Sequence, residues 1–418
     1  MNLKVRLAMM SFLQFAVWGA YLTCMGIYLG KIGMGNHIGT FIAMQGFVSI
    51  FMPTLMGIIA DRWIPAQRLY GYCHFLAGVF MLLAGLYGQQ EGTHVAFPVL
   101  FGLYGMSIAF YMPTLSLSYS VAYNALSQKG MDPVTAFPPI RVFGTIGFIV
   151  TMWFVDIMNY EQNHCQFIVS GVLGILLCLY AFTLPACPVN RQPGRKSWVE
   201  MLGLQAFSLF KKKEMAVFFI FAVFLGICLQ ITNGFATPFI SHFQDVPEYA
   251  GSFGVKYPVI LYSISQISET FCILLIPFFM KRYGIKNVVF IAALAWFFRF
   301  GLLGTGNPGS GVWMFILSMI VYGVAFDFFH ICGSLFINQS TDPSMRSSAQ
   351  GLFMLMTNGI GATVGSLAAQ AVVTANTMDD GSVIWYRCWY VFAVYALTVG
   401  IVFYMVFHPQ KSMMEQVS

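Results

Sequence analysis

About a dozen apolar runs, each close to the ~20 residues a helix needs to cross a bilayer, follow one another along this chain of 418 residues. They centre near Trp18, Phe47, Phe80, Ile108, Gly147, Gly174, Phe224, Glu269, Leu294, Val321, Gly361 and Val394. Such a chain has few options, because lipid offers no partner to a backbone N–H or C=O and each span must satisfy its own. Helices do this within one segment. Composition agrees: 58% of residues are hydrophobic and 9% charged, against roughly 25% charged in soluble proteins. The expectation is an all-α integral membrane protein with twelve transmembrane helices, surrounded by lipid. Nine cysteines without a C-x-x-C pair, and seven histidines without H-E-x-x-H, point to no disulfide frame and no metal site.

The longest polar interruption, PVNRQPGRKSWVEMLGLQAFSLFKKKE, falls between the sixth and seventh runs. It divides the chain into an N-terminal six-helix half, 1–187, a cytoplasmic linker, 188–214, and a C-terminal six-helix half with a short tail, 215–418. Two halves of six helices are the organisation of a transporter whose halves rock about a site near the bilayer midplane. With the N-terminus cytoplasmic, 16 of the 21 Lys and Arg lie on that side, including Lys4, Arg62, Arg191, Lys211, Arg346 and Lys411. Lys31, Lys256 and Arg387 lie opposite. The positive-inside rule then puts both termini in the cytoplasm. The opening MNLKVRLAMM leads into an apolar run too long for a signal peptide and reads as an uncleaved first span.

Four charged residues fall within spans: Arg141, Glu269, Arg299 and Asp327. Each costs roughly 2.5–3.5 kcal/mol at bilayer depth on insertion scales, so each is a functional candidate. Arg141 follows DPVTAFPPI. A helix starting at Pro133 puts it about 12 Å deep, with Thr145 and Phe148 on its face at i+4 and i+7. A start at Pro138 would leave it a snorkelling interfacial residue. Gln230 and Asn233 in LQITN, and Gln266 and Glu269 in SISQISE, repeat one i, i+3 spacing. A repeated pair that includes an acid favours a polar cavity over packing. In YGVAFDFFH, Tyr322 and Phe326 are one turn apart, Asp327 follows, and His330 lies a further turn on. Arg299 is read as a residue near the outer end of its helix that can snorkel. Gln14, Gln45 and Asn358 are read as packing amides.

GIIADRW carries the Gly57, Asp61 and Arg62 of the major facilitator loop motif, without its later glycine and basic run. Together with SFLQFAVWGAYL, DPVTAFPPIRVFGTIGF, LQITN, SISQISE, PFFMKRYGIKNV, LSMIVYGVAFDFF and SAQGLF, it resembles the nucleoside:proton symporter family of the major facilitator superfamily over nearly the whole chain. The resemblance implies a bacterial inner-membrane permease importing nucleosides of the uridine, adenosine or xanthosine class by proton symport. It implies no cofactor beyond the proton, no nucleic-acid partner, no enzymatic activity and a monomer. Its substrate residues fall on Arg141, Thr145, Phe148, Gln230, Asn233, Gln266, Glu269, Tyr322 and Phe326, and proton coupling on Asp327 and Glu269. His330 stands where relatives usually carry Asn, which makes it a candidate proton relay or a simple amide substitute.

The chemistry suits a nucleoside. Aromatic stacking on a base is worth about 1–3 kcal/mol in nucleic-acid proteins, and Gln or Asn offers both a donor and an acceptor to a base edge or a ribose hydroxyl. A sugar site uses the same residue types, so a symporter of a sugar or another small polar solute is the alternative on these residues alone.

Overall fold

The structure, a computed structural model, describes residues 2–187, 204–341 and 346–408. Residues 188–203 of the expected linker, including Arg191, lie outside the described residues, as do Lys411 and the side chains of Asp61, Arg62 and Arg346. The chain divides into two compact units, Met1–Lys196 and Ser197–Ser418. Among the described residues, regular structure is helical apart from one isolated antiparallel bridge, Thr377 to Val383.

The first unit contains α1 (Leu3–Gly19), α2 (Met25–Lys31), α3 (Ile38–Arg62), α4 (Ala66–Glu91), α5 (Phe97–Gln128), α6 (Pro133–Ile157) and α7 (Cys165–Ala181). The second contains α8 (Lys213–Ser241), α9 (Pro258–Cys272), α10 (Ile276–Thr305), α11 (Val312–Ser340), α12 (Arg346–Met354), α13 (Ala362–Ala375) and α14 (Trp385–Val406). A π-helical segment, Leu355–Gly361, joins α12 to α13.

Nine helical stretches among the described residues are long and apolar enough to cross a membrane. One of them, Pro258–Thr305, is 48 residues long. It contains Gly284 at φ 68°, ψ 168°, where the chain leaves the helix. Only glycine reaches that conformation without strain, so Gly284 splits the stretch. The first apolar run is also broken, between α1 and α2, and α7 is a shorter apolar helix of 17 residues.

Packing follows one order in each unit. In the first, α4 packs on α5 and α7, α3 on α5, and α1 on α6. In the second, α10 packs on α11 and α14, α9 on α11, and α8 on both α13 and the π-helical segment. Small residues allow the closest approaches, as expected where lipid supplies no hydrophobic drive between helices. A Cβ on Gly19 would lie 2.5 Å from the carbonyl oxygen of Phe148, and one on Gly226 would lie 2.6 Å from that of Thr357. The surface is correspondingly apolar, with Leu274 74% and Val394 62% exposed, while polar residues such as Gln14, Asp327 and Arg299 are buried. That inversion suits a lipid-facing surface.

Candidate functional site

Helix α6 begins at Pro133, so Arg141 lies two turns inside it and not at its mouth. Its guanidinium lies over the ring of Phe15 on α1, 3.8 Å from the centroid, and its Nε donates to the Tyr119 hydroxyl on α5 at 3.2 Å. Arg141 and Thr145 are half-buried, while Phe148 is buried and meets Trp18 edge-on at 6.4 Å. Trp18 Nε1 donates to Gln45 Oε1, and Gln45 Nε2 donates to the Tyr104 hydroxyl. Gln14 is equally committed. Its Nε2 donates to Thr114 Oγ1 at 2.9 Å, and its Oε1 accepts from the Tyr70 hydroxyl at 2.7 Å and from His74 Nε2 at 2.8 Å. Both amides are therefore interhelical packing groups, and His74 carries its proton on Nε2.

The other ten residues singled out in the sequence belong to the second unit. Gln230 and Asn233 sit on α8 and Gln266 and Glu269 on α9, all half-buried. The Tyr262 hydroxyl donates to Asn233 Oδ1 at 3.2 Å, tying α9 to α8. On α11, Tyr322, Phe326 and His330 form a ladder of rings. Tyr322 stacks on Phe326 at 5.7 Å and 5°, and Phe326 stacks on His330 at 4.9 Å and 23°. Asp327, on the same helix, is 1% exposed, and its Oδ2 has no hydrogen-bond partner. Glu269 lies within electrostatic range of it. A small recess beside the ladder is bordered by Trp296, Phe326, His330 and Asn358. Asn358, read from sequence as a packing amide, borders that recess; its Nδ2 donates to the weak acceptor Met354 Sδ, at 3.4 Å.

Arg299 corrects the sequence reading most clearly. It does not snorkel: it is 0% exposed and bonds within the second unit to α8, α9 and α11. Distance from the helix end misled, because what decides burial is which neighbouring helices surround the residue. Tyr262 was also missed, although it lies at i−4 from Gln266 and i−7 from Glu269, on one helical face.

Over residues 1–412 the chain matches the family described as Nucleoside H+ symporter. The chain belongs to this family. It is 46% identical to the xanthosine permease of Escherichia coli K12 over 411 residues, covering 97% of this chain and 96% of the permease. It is 43% identical to the nucleoside permease NupG of the same strain over 410 residues, with the same coverage. The crystal structure of a mutant form of the nucleoside transporter NupG superimposes with a TM-score of 0.92 at 43% identity, covering 97% of this chain and 100% of that one. A D-xylose–proton symporter, at 13% identity, shares the fold with a TM-score of 0.70. This symporter-family chain is thus an all-helical integral membrane transporter of the major facilitator type. Its relatives are permeases and not enzymes, and the coupling proton is the only accessory such a symporter requires.

Proposed function

We propose that this chain imports nucleosides together with protons by alternating access, as a monomer in a bacterial inner membrane with both termini cytoplasmic. The observation that carries the reading is a buried carboxyl, Asp327, beside the stacked pair Tyr322 and Phe326 in a chain of the nucleoside H+ symporter family. Flat rings that can take a base, amides that can read its edge or the ribose, and a carboxyl able to hold a proton are what such a cycle needs.

The substrate contacts in this proposal are Arg141, Thr145 and Phe148 from the N-terminal unit. From the C-terminal unit they are Gln230, Asn233, Gln266, Glu269, Tyr322 and Phe326. Asp327 or Glu269 carries the proton, and His330 is the candidate relay. Uridine and adenosine are neutral, so with either of them an accompanying proton moves one net charge, and a membrane potential contributes about 2.3 kcal/mol per 100 mV to accumulation. Twelve spans in two halves, 1–187 and 215–418, follow if Gly284 separates two spans, α1 with α2 makes one, and α7 makes another. The repeated packing order of the two units supports this count.

Uptake of labelled uridine into proteoliposomes, with and without an inward proton gradient, tests the proposal. Gradient-stimulated uptake competed by adenosine or xanthosine but not glucose is expected. Uptake competed by glucose would move the chain to sugar transport.

A further inference from the structure

Arg299 is a buried cation on α10, a helix that carries none of the residues assigned to substrate or proton above. Its guanidinium gathers the three helices of the second unit that do. Nε donates to Thr232 Oγ1 on α8 at 3.2 Å, and Nη1 donates to Ser265 Oγ on α9 at 3.3 Å and to the Ser318 carbonyl on α11 at 2.8 Å. The Ser318 hydroxyl returns a bond to the Arg299 carbonyl at 3.0 Å. The same cation lies over the faces of Tyr322, at 4.6 Å, and Tyr262, at 5.8 Å.

The register of these anchors matters. Thr232 precedes Asn233 and Ser265 precedes Gln266, while Ser318 lies one turn before Tyr322. Successive residues on a helix point about 100° apart, so tying residue i to a fixed point sets where residue i+1 faces. The bond from Tyr262 to Asn233 adds a second tie between α8 and α9 on the ring that Arg299 covers. A planar guanidinium presents donors in a fixed fork and stacks on rings, whereas a lysine ammonium is a point charge that cannot span three helices in this way.

We propose that Arg299 is a positioning residue that sets the rotational register of α8, α9 and α11, and thereby aims Asn233, Gln266 and Tyr322 at the nucleoside. This rests on the nucleoside reading above. Arg299 itself touches no substrate; it acts through Thr232, Ser265 and the two tyrosines.

The test compares the full-length parent with Arg299→Lys, Thr232→Val, Thr232→Ser and Ser265→Ala, by uridine uptake in proteoliposomes and by melting temperature in detergent. Small misplacement of contacting groups is costly, up to about 100-fold per ångström in enzymes. Folded Arg299→Lys should therefore raise the uridine KM at least about tenfold and lower kcat much less. Thr232→Val should raise KM a few-fold, with Thr232→Ser restoring it, since serine keeps the acceptor. A lowered melting temperature with KM within twofold of the parent would make Arg299 purely structural and overturn the proposal. Should Arg299→Lys not fold, unchanged KM in both Thr232→Val and Ser265→Ala overturns it equally. Maleimide labelling of Asn233→Cys, with and without Thr232→Val, reads the register without any substrate. A changed rate is expected and an unchanged rate counts against the proposal. Absence of uptake of uridine, adenosine and xanthosine alike by the parent would sink the nucleoside reading alone, and the labelling would then decide the role of Arg299.

Discussion

The guanidinium of Arg141 stacks on Phe15 at 3.8 Å while its Nε is held by the Tyr119 hydroxyl, so a cation on α6 is aimed by one residue from α1 and one from α5. Cation–π contacts are worth about 0.5 to 2 kcal/mol. Phe15→Leu is therefore expected to weaken nucleoside binding roughly 2- to 30-fold by freeing Arg141, and Tyr119→Phe to weaken it a few-fold through the lost hydrogen bond. Uridine KM measured at saturating proton gradient reads both. If Phe15→Leu leaves KM unchanged while Arg141→Lys does not, the stacking does not aim the cation.

Asp327 and Glu269 should separate by assay. A buried carboxyl with an oxygen lacking a partner is better accommodated when protonated, so Asp327→Asn mimics the loaded form and should fold. It should abolish accumulation against a gradient, by an order of magnitude or more, while retaining uridine exchange at equal concentrations. Glu269→Gln should behave likewise if Glu269 is the coupling acid. Equal loss of accumulation and exchange in Glu269→Gln would assign it to substrate binding.

His330 ends the ring ladder on Phe326 and also meets Phe353 at 5.5 Å. A relay role predicts that His330→Asn displaces the uptake–pH profile. The stacking role predicts a higher KM with the profile in place, and that second pattern would remove the relay.

Glu161, in the short 3-10 turn Tyr160–Gln162 between α6 and α7, is fully buried. Burial pushes its carboxyl above the ordinary carboxylate range, with Gln162 and Lys31 pulling the other way. The folded chain thus keeps a proton that the unfolded chain has already released. Stability on this account is present below the ordinary carboxylate pKa and declines as pH rises through and above it. Glu161→Gln removes the ionisation, so it should raise the melting temperature at about pH 7.5 and change it little near pH 4. Equal shifts at both pH values would show that the effect is not titration.

Gly19 has no room for a side chain against the Phe148 carbonyl. Overpacking of this kind costs about 1–3 kcal/mol or displaces backbone. Gly19→Val should lower the melting temperature and, because α6 carries Arg141, Thr145 and Phe148, impair uptake beyond the loss of folded protein. Uptake that simply tracks the amount of folded protein would separate the α1–α6 contact from the site.

What the sequence determined by itself is whatever depends on solvent and on local spacing. Runs of about twenty apolar residues settle immersion in lipid, because an unpaired backbone group has nowhere else to go. Helical repeat alone places Tyr322, Phe326 and His330 one above another, and the ring stacking follows that order. The sequence leaves the depth of Arg141 between a helix start at Pro133 and one at Pro138, and the structure decides for Pro133. Pairings between distant segments were not legible. Tyr262 and Asn233 are 29 residues apart and meet only because α8 and α9 pack in one register. Arg299 looked interfacial along its own helix, yet tertiary packing surrounds it with α8, α9 and α11 and turns it into their common anchor. The sequence separates the apolar runs centred near Glu269 and Leu294, and the backbone angles of Gly284 locate the residue at which the helix breaks. The physical reason is the same in each case: a helix's periodicity says which residues share a face, but burial and bonding depend on which other helix that face meets.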